Sequence, residues 1–275
     1  MCAIQTVLTI AGFDPSSGAG ITADLAVIAA HGMFGTSAIT ALTVQSTLGV
    51  RATHMINAPI LEATLACLVE DLPPAGVKLG MLGNRENVRA VVKVLQEIRS
   101  SGWRIPVVLD PVIRSSSGRE LLSATGVDAL RQELLPLVDW VTPNLLELGV
   151  LADMDVHAET DMGEAVDCLM ANHAWLNVVA TGGHLDSADD LVVLSDGRRR
   201  WLRGEKLVSR ATHGTGCAYS TALTCELVAG HEPLQAARLA KEFVAEAIRR
   251  AEIIGNGNGP MDLLWPVRRG RLVGS

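Results

Sequence analysis

The sequence predicts an α/β fold with a mostly parallel central sheet, and three observations carry that reading. Short apolar or β-branched runs alternate with longer helical periods along nearly the whole chain, the pattern of strands joined by helical crossovers. Hydrophobic residues make up 48% of the chain and aromatics only 3%, so the core is built from Ala, Val, Leu and Ile, which suits helices on parallel strands. Dense glycine turns at 12–20 and 214–216 each lead straight into a small, apolar, helix-like run. With 275 residues and no linker, repeat or low-complexity stretch, a single domain over residues 1–275 is expected.

Residues 6–11 are a β-branched run stopped by Gly12, hence a first, central strand. The turn 12–20 follows, then a helix over 21–31 closed by Gly32 at its C′ position. A second strand is expected at 37–44 with 45–49 as its polar exit, and then a helix at 59–71. Residues 77–79 form a very short buried strand running into Gly80-Met81-Leu82-Gly83, and the helix over 84–100 takes Asn84 as its N-cap. Strand 107–109 ends in Asp110-Pro111, with a flexible loop of small residues at 115–118. Strand 140–142 leads through Pro143-Asn144 into a helix carrying Glu147, and strand 176–180 ends in Thr181-Gly182-Gly183-His184. Residues 191–194 and 201–208 read as an antiparallel pair joined at Asp196-Gly197. The helix after 214–216, a long helix over 233–251 and an open loop at 255–260 complete the chain, around one continuous parallel sheet.

Composition narrows the partners. A formal net charge of -7 argues against nucleic-acid binding by phosphate neutralisation, and Arg198-Arg199-Arg200 is a short cluster beside a turn. The five cysteines, at 2, 67, 168, 217 and 225, form no C-x-x-C pair and no zinc-like spacing. Scattered thiols in odd number fit a reducing cytoplasm, with Cys67, Cys168 and Cys225 as core residues of helices. The N-terminal apolar run is too short for a signal-peptide core, and no stretch approaches the ~20 apolar residues of a membrane span. A cytoplasmic protein with no membrane partner is expected.

Candidate chemistry gathers where strands and glycine turns end. A Gly-Thr-Gly turn feeding a helix leaves backbone N–H groups aimed at one spot, with the positive end of the helix dipole behind them. Gly214, Thr215 and Gly216 could therefore hold an anion, and Cys217 stands where the same field favours thiolate over thiol. The alternative is a tight turn with Cys217 as small core filler. The first glycine turn is neither G-x-G-x-x-G nor G-x-x-x-x-G-K-[ST], so dinucleotide and P-loop readings fail on spacing. Asp24, one turn into the next helix, reads on its own as a surface carboxylate near a helix N-terminus. Asp110 ends a parallel strand and points into the crevice where open α/β sheets bind ligands. Asn144 and Glu147 read first as an N-cap and its capping-box partner, although such residues can also hold Mg²⁺ through water.

In this order the passages LTIAGFDPSSGAGITADL, SAITALTVQSTLGV, VKLGML, VVLDPV, VTPNLLE, ATGGH and ATHGTGC resemble the ribokinase superfamily. Within it the chain is similar to the hydroxymethylpyrimidine/phosphomethylpyrimidine kinases of thiamine biosynthesis, over residue 8 to about residue 265. The resemblance implies a ribokinase-like three-layer α/β/α sandwich that phosphorylates hydroxymethylpyrimidine and then its monophosphate, with ATP and Mg²⁺. It also implies a homodimer. By matching position, Gly12, Asp24, Gln45 and Met81 line the pyrimidine pocket, Gln45 reading the aminopyrimidine edge. Asp110, Asn144 and Glu147 match the set near Mg²⁺ and the ATP phosphates, with Asp110 and Glu147 holding the metal through water. Thr181 and Gly183 lie on the phosphate side, Gly214, Thr215 and Gly216 form the anion hole, and Cys217 takes the place of a catalytic Asp, as in the pyrimidine branch.

Two departures stand out. Thr181 occupies a position where the family commonly carries a phosphate-binding lysine, which leaves Lys206 or Lys241 as conceivable substitutes, and Phe13 replaces a usual serine. They keep open a pyridoxal or pyridoxine kinase, a kinase poor at the second step, and a catalytically weak pyrimidine-binding paralogue.

Overall fold

The computed structural model describes residues 4–115, 118–183 and 188–271. Two members of the expected small-residue loop, Ser116 and Ser117, and the His184 that follows Gly183 lie outside the described residues. The sheet grows outward from β1 (Thr6–Phe13) in both directions. On one side stand β2 (Phe34–Ser46) and β3 (Gly49–Met55). On the other, β4 (Gly76–Leu79), β5 (Val107–Leu109), β6 (Trp140–Val141), β7 (Asn177–Ala180), β8 (Asp190–Val193) and β9 (Arg199–Leu202) follow in order. The pairs from β2 through β7 are parallel. Both margins are antiparallel: Thr47-Leu48 between β2 and β3 and the Asp196-Gly197 turn between β8 and β9 are too short for a crossover, and β8 also runs against β7. The sheet is thus mostly but not continuously parallel. β3, which shares only Gly49 with the expected polar exit at 45–49, is an edge strand with exposed Arg51 and His54 and no clean alternation.

The two faces of the strands bury into different helical layers, as period-2 geometry requires. Val77, Leu79, Val107 and Leu109 pack with α2 (Ala58–Asp71), α3 (Arg85–Ser100), α4 (Ala124–Ala129), α5 (Leu145–Ala152) and α6 (Glu159–Asn172). Val108, Trp140 and Val179 pack on the opposite side with α1 (Gly20–Ala30), α7 (Thr215–Val228) and α8 (Pro233–Arg249), which α9 (Trp265–Arg271) extends. The result is a three-layer α/β/α sandwich. Asn84 caps α3 as expected, its side chain accepting from the Asn87 N–H. Cys168 and Cys225 lie in helices and are at least partly buried, whereas Cys67 is exposed on α2, against the expectation of a core residue.

Candidate active site

The parallel strands deliver their carboxyl ends to one crevice. β1 feeds the first glycine turn, β4 leads to Gly80-Met81, β5 to Asp110, β6 to Asn144 and β7 to Thr181. Because β1 lies between β2 and β4, the strand order reverses there, the point at which open α/β sheets take ligands. Gly12 and Met81 meet at this point: a Cβ on Gly12 would come within 3.0 Å of the Met81 sulfur. Gln45 belongs to the end of β2 rather than to a loop. Gln45 shares a face of β2 with Thr43, and its side chain reaches the glycine turns at His213; the register shift beside it leaves Arg51 of β3 as the extra residue.

The two glycine turns interlock. Gly214 has φ 79°, the left-handed region, and a Cβ there would collide with the Gly18 carbonyl oxygen. Gly18 in turn has the His213 ring in the space its own Cβ would need. Asp14, buried inside the first turn, accepts from the Ser16 N–H (2.8 Å), the Ser16 hydroxyl (2.7 Å) and the Ala19 N–H (3.0 Å). Its Oδ2 also lies 2.7 Å from His213 Nε2. Burial works against ionisation of Asp14, but the hydrogen bonds from His213 and Ser16 outweigh it and hold the carboxyl below its ordinary range. Gly214→Ala is expected to destabilise the protein by about 1–3 kcal/mol through backbone strain and to abolish ATP binding. A urea titration and calorimetric ATP titration check the pair of effects.

Gly214 is the N-cap of α7, and the first intrahelical bond is donated by the Ala218 N–H to Gly214 O at 2.9 Å. The N–H groups of Thr215, Gly216 and Cys217 precede it and have no partner within the helix, the arrangement that receives an anion. Cys217 Sγ accepts from the Gly20 N–H, and its thiol is hydrogen-bonded to Asp110. The predicted preference for thiolate is not observed. Burial, reinforced by Asp110 and Asp24, pushes the thiol up to about 12 against the opposing pull of Lys78 and the Gly20 N–H. The resting side chain is therefore a thiol, because neighbouring carboxylates and desolvation outweigh the helix dipole.

Asn144 and Glu147 do form the capping box of α5. Asn144 Oδ1 accepts from the Glu147 N–H at 3.0 Å, and Glu147 Oε2 accepts from the Asn144 N–H at 3.0 Å. Glu147 also stands close enough to Asp110 that burial and the Asp110 charge push it up to about 8. Asp110 itself is raised by burial, partly offset by Lys78. Two buried carboxylates that resist simultaneous ionisation suit a divalent cation bound through water. Among the described residues, no group of three or more His, Cys, Asp or Glu is arranged to hold a metal directly. At the end of β7, Thr181 donates its N–H to Pro143 O at 2.9 Å, and Gly183 is exposed at the rim. Lys241 does not replace the missing lysine. Its ammonium is 2.7 Å from Asp190, whose other oxygen accepts from the Gly182 N–H at 3.0 Å, so it braces the Thr181-Gly182 backbone instead.

Beneath these groups lies an ion pair that the sequence reading missed. Asp24 is not a surface carboxylate; it is fully buried, and its two oxygens lie 3.0 and 2.8 Å from Lys78 Nζ on β4. The hydroxyls of Thr9, at 2.6 Å, and Thr221, at 2.8 Å, complete its shell. Burial alone would discharge Lys78, but the charge of Asp24, with a smaller contribution from Asp110, holds its pKa above the ordinary value. The available signal was a lone lysine between Val77 and Leu79 in an otherwise apolar strand. His213 and Asp14 were not singled out, because they lie 199 positions apart and no local pattern joins them.

Comparison with known proteins agrees with this geometry. A phosphomethylpyrimidine kinase family model matches residues 14–262. A hydroxymethylpyrimidine/phosphomethylpyrimidine kinase of Haemophilus influenzae is 42% identical over 266 residues, covering 94% of this chain and 97% of that one. Among solved structures, a phosphomethylpyrimidine kinase of Clostridium difficile is 34% identical with a TM-score of 0.77, covering 89% of this chain and 99% of the other. A Staphylococcus aureus pyridoxal kinase in complex with ADP is 29% identical with a TM-score of 0.84, covering 95% and 94%. With Asp14, the strand-end Asp110, the Gly214 turn and Cys217 all inside the matched region, the chain belongs to the phosphomethylpyrimidine kinase family.

Proposed function

We propose that the chain, working as one kinase domain, uses ATP to phosphorylate hydroxymethylpyrimidine and then its monophosphate, yielding the pyrophosphate for thiamine biosynthesis. The observation that carries this reading is the seat of Cys217. Its thiol stands at the mouth of α7, beside the amides of Thr215 and Gly216, against Asp110, and across the interlocked glycine turns from Gly12, Met81 and Gln45. A substrate hydroxymethyl group on the Gln45 side would thus face a phosphoryl group on the amide side.

Catalysis in this reading is mainly positioning and charge stabilisation, as is usual for phosphoryl transfer. The amides of Thr215, Gly216 and Cys217 receive the charge on the transferred group. Since the resting Cys217 is a thiol, it accepts the substrate's hydroxyl proton only by passing its own onward, and Asp110 already accepts a hydrogen bond from it. Asp110 and Glu147 would hold Mg²⁺ through water, and the metal when bound supplies positive charge to the ATP phosphates. Asn144, Thr181 and Gly183 border the phosphate side. Asp24, buried below the crevice, acts on the pocket through Lys78 and α7 rather than by touching the substrate.

A coupled assay with hydroxymethylpyrimidine, its monophosphate and pyridoxal, with products resolved by mass, tests the reading. Turnover of both pyrimidines well above pyridoxal is expected; preferred turnover of pyridoxal would replace this reading with a pyridoxal kinase, and no turnover would leave only a binding protein. Gln45→Leu is expected to raise KM for hydroxymethylpyrimidine about tenfold or more while KM for ATP changes little. Equal losses for both substrates would remove Gln45 from the pyrimidine side.

A homodimer and a cytoplasmic setting complete the proposal. The edge pair β2–β3 exposes Leu42, Val44, Leu48 and Met55, an apolar margin suited to a second copy. No helix among the described residues is long and apolar enough to cross a membrane. Sedimentation with and without Val44→Glu checks the dimer: a shift to monomer is expected.

A further inference from the structure

His213 has no part in the transfer step described above, yet it is the residue where three separate pieces of the crevice meet. Its ring fills the space beside Gly18, its Nε2 lies 2.7 Å from Asp14 Oδ2, and the same Nε2 lies 2.9 Å from the amide end of Gln45. Its own backbone N–H is donated to Gly259 O at 3.2 Å, which fixes the ring from behind. We infer that His213, held by Asp14, is a positioning residue that sets which way the Gln45 amide faces and thereby gives the pocket its preference for an aminopyrimidine; this rests on the reading of Gln45 as the residue meeting the pyrimidine edge.

The proton count requires it. The other neighbours of the buried Asp14 carboxylate, the Ser16 N–H, the Ser16 hydroxyl and the Ala19 N–H, are all donors, so its oxygens act only as acceptors. A ring nitrogen 2.7 Å from such an oxygen must carry a proton, since two lone pairs at that distance repel. A protonated Nε2 has no lone pair left for Gln45. The Gln45 atom facing it at 2.9 Å, assigned as the amide nitrogen, must then be the carbonyl oxygen of an amide turned over, which shares the Nε2 proton with Asp14.

The amide nitrogen consequently turns toward Thr43 Oγ1, which lies 3.2 Å from the other end of the amide. That hydroxyl can accept, because its own proton goes to Phe13 O at 2.9 Å. Gln45 is left with one oxygen lone pair and one N–H side by side. An aminopyrimidine presents the complement, an amino donor beside a ring-nitrogen acceptor. Without His213 the amide could rotate by half a turn and present the same two groups in the wrong order.

The test is a double-mutant cycle on the full-length enzyme. His213→Phe keeps a ring beside Gly18 but removes the donor. It is expected to raise KM and the calorimetric Kd for hydroxymethylpyrimidine about tenfold, with KM for ATP and kcat within about threefold, and His213→Gln, which restores an N–H, should recover most of the loss. In the Gln45→Leu background, His213→Phe should add less than about twofold, because its effect runs through Gln45. A fall in kcat at unchanged KM, or losses that multiply in the double variant, would overturn the inference. If Gln45→Leu alone leaves pyrimidine affinity intact, the fault lies in the reading of Gln45 and the inference falls with it. Should His213→Phe fail to fold, Thr43→Val, which removes the other anchor of the amide, takes its place in the cycle with the same expected and overturning outcomes.

Discussion

Cys217→Ala is expected to lower kcat for hydroxymethylpyrimidine by about 10²–10⁴-fold, the range that a positioned proton acceptor contributes. Binding should be nearly unaffected. The alanine leaves the Thr215 and Gly216 amides in place, and α7 still begins at the left-handed Gly214. The measurement is steady-state kinetics for both substrates alongside calorimetric ATP binding. Wild-type turnover in the variant would dismiss the thiol from the reaction, and a large rise in the Kd for ATP would recast it as a packing residue. The thiol character carries a second readout. With the group pushed up to about 12, alkylation of Cys217 by iodoacetamide should be slow at neutral pH and still be accelerating at pH 9–10, whereas exposed Cys67 reacts faster at neutral pH.

Lys78→Met should be the most destabilising single change, by about 3–5 kcal/mol, because it strands Asp24 as an uncompensated buried charge. Neither partner has any solvent exposure, and the pair ties β4 to α1 while Asp24 ties α1 to Thr221 of α7. Replacing both partners, as in Lys78→Met with Asp24→Leu, should recover much of the loss, since a well-packed apolar pair avoids the desolvation cost. Urea titrations of the two single variants and the double variant decide it. A loss under 1 kcal/mol for Lys78→Met would mean that water or another cation reaches Asp24. Activity should fall further than stability in the double variant, because Lys78 is also the cation that favours the charged forms of Cys217 and Asp110.

What was legible in the sequence was whatever a local pattern encodes. Strand-helix alternation located the parallel strands, the Asn144 and Glu147 spacing announced a capping box, and the glycine turns marked the crevice. Antiparallel margins were harder, since β3 is an edge strand whose polar face carries Arg51 and His54 and breaks the alternation that identifies a half-buried strand. The burial of Asp24 was not legible at all. One turn into a helix, a carboxylate usually faces water, and only the approach of Lys78, 54 residues away, makes the buried site tenable. The thiol of Cys217 was misjudged for a related reason. The helix dipole is a local property and could be anticipated, while the desolvation and the two carboxylates that overrule it arrive from β5 and α1.

The loop 255–260, which reads as an open tail in sequence, is instead a seam. Gly257 packs so closely on Thr47 that a side chain would meet the Thr47 carbonyl, Gly259 exchanges backbone bonds with Arg210 and His213, and Pro260 bridges to His213. The crevice beside β1 and β2 is therefore closed by a segment that lies 210 residues after Thr47. A nascent chain can assemble β1 to β7 in order, each strand beside its predecessor or beside β1, yet it presents no finished pocket until synthesis has passed residue 260. Substrate cannot steady the growing chain before that moment, so ligand stabilisation reaches only molecules in which the 255–260 loop has met Thr47 and His213.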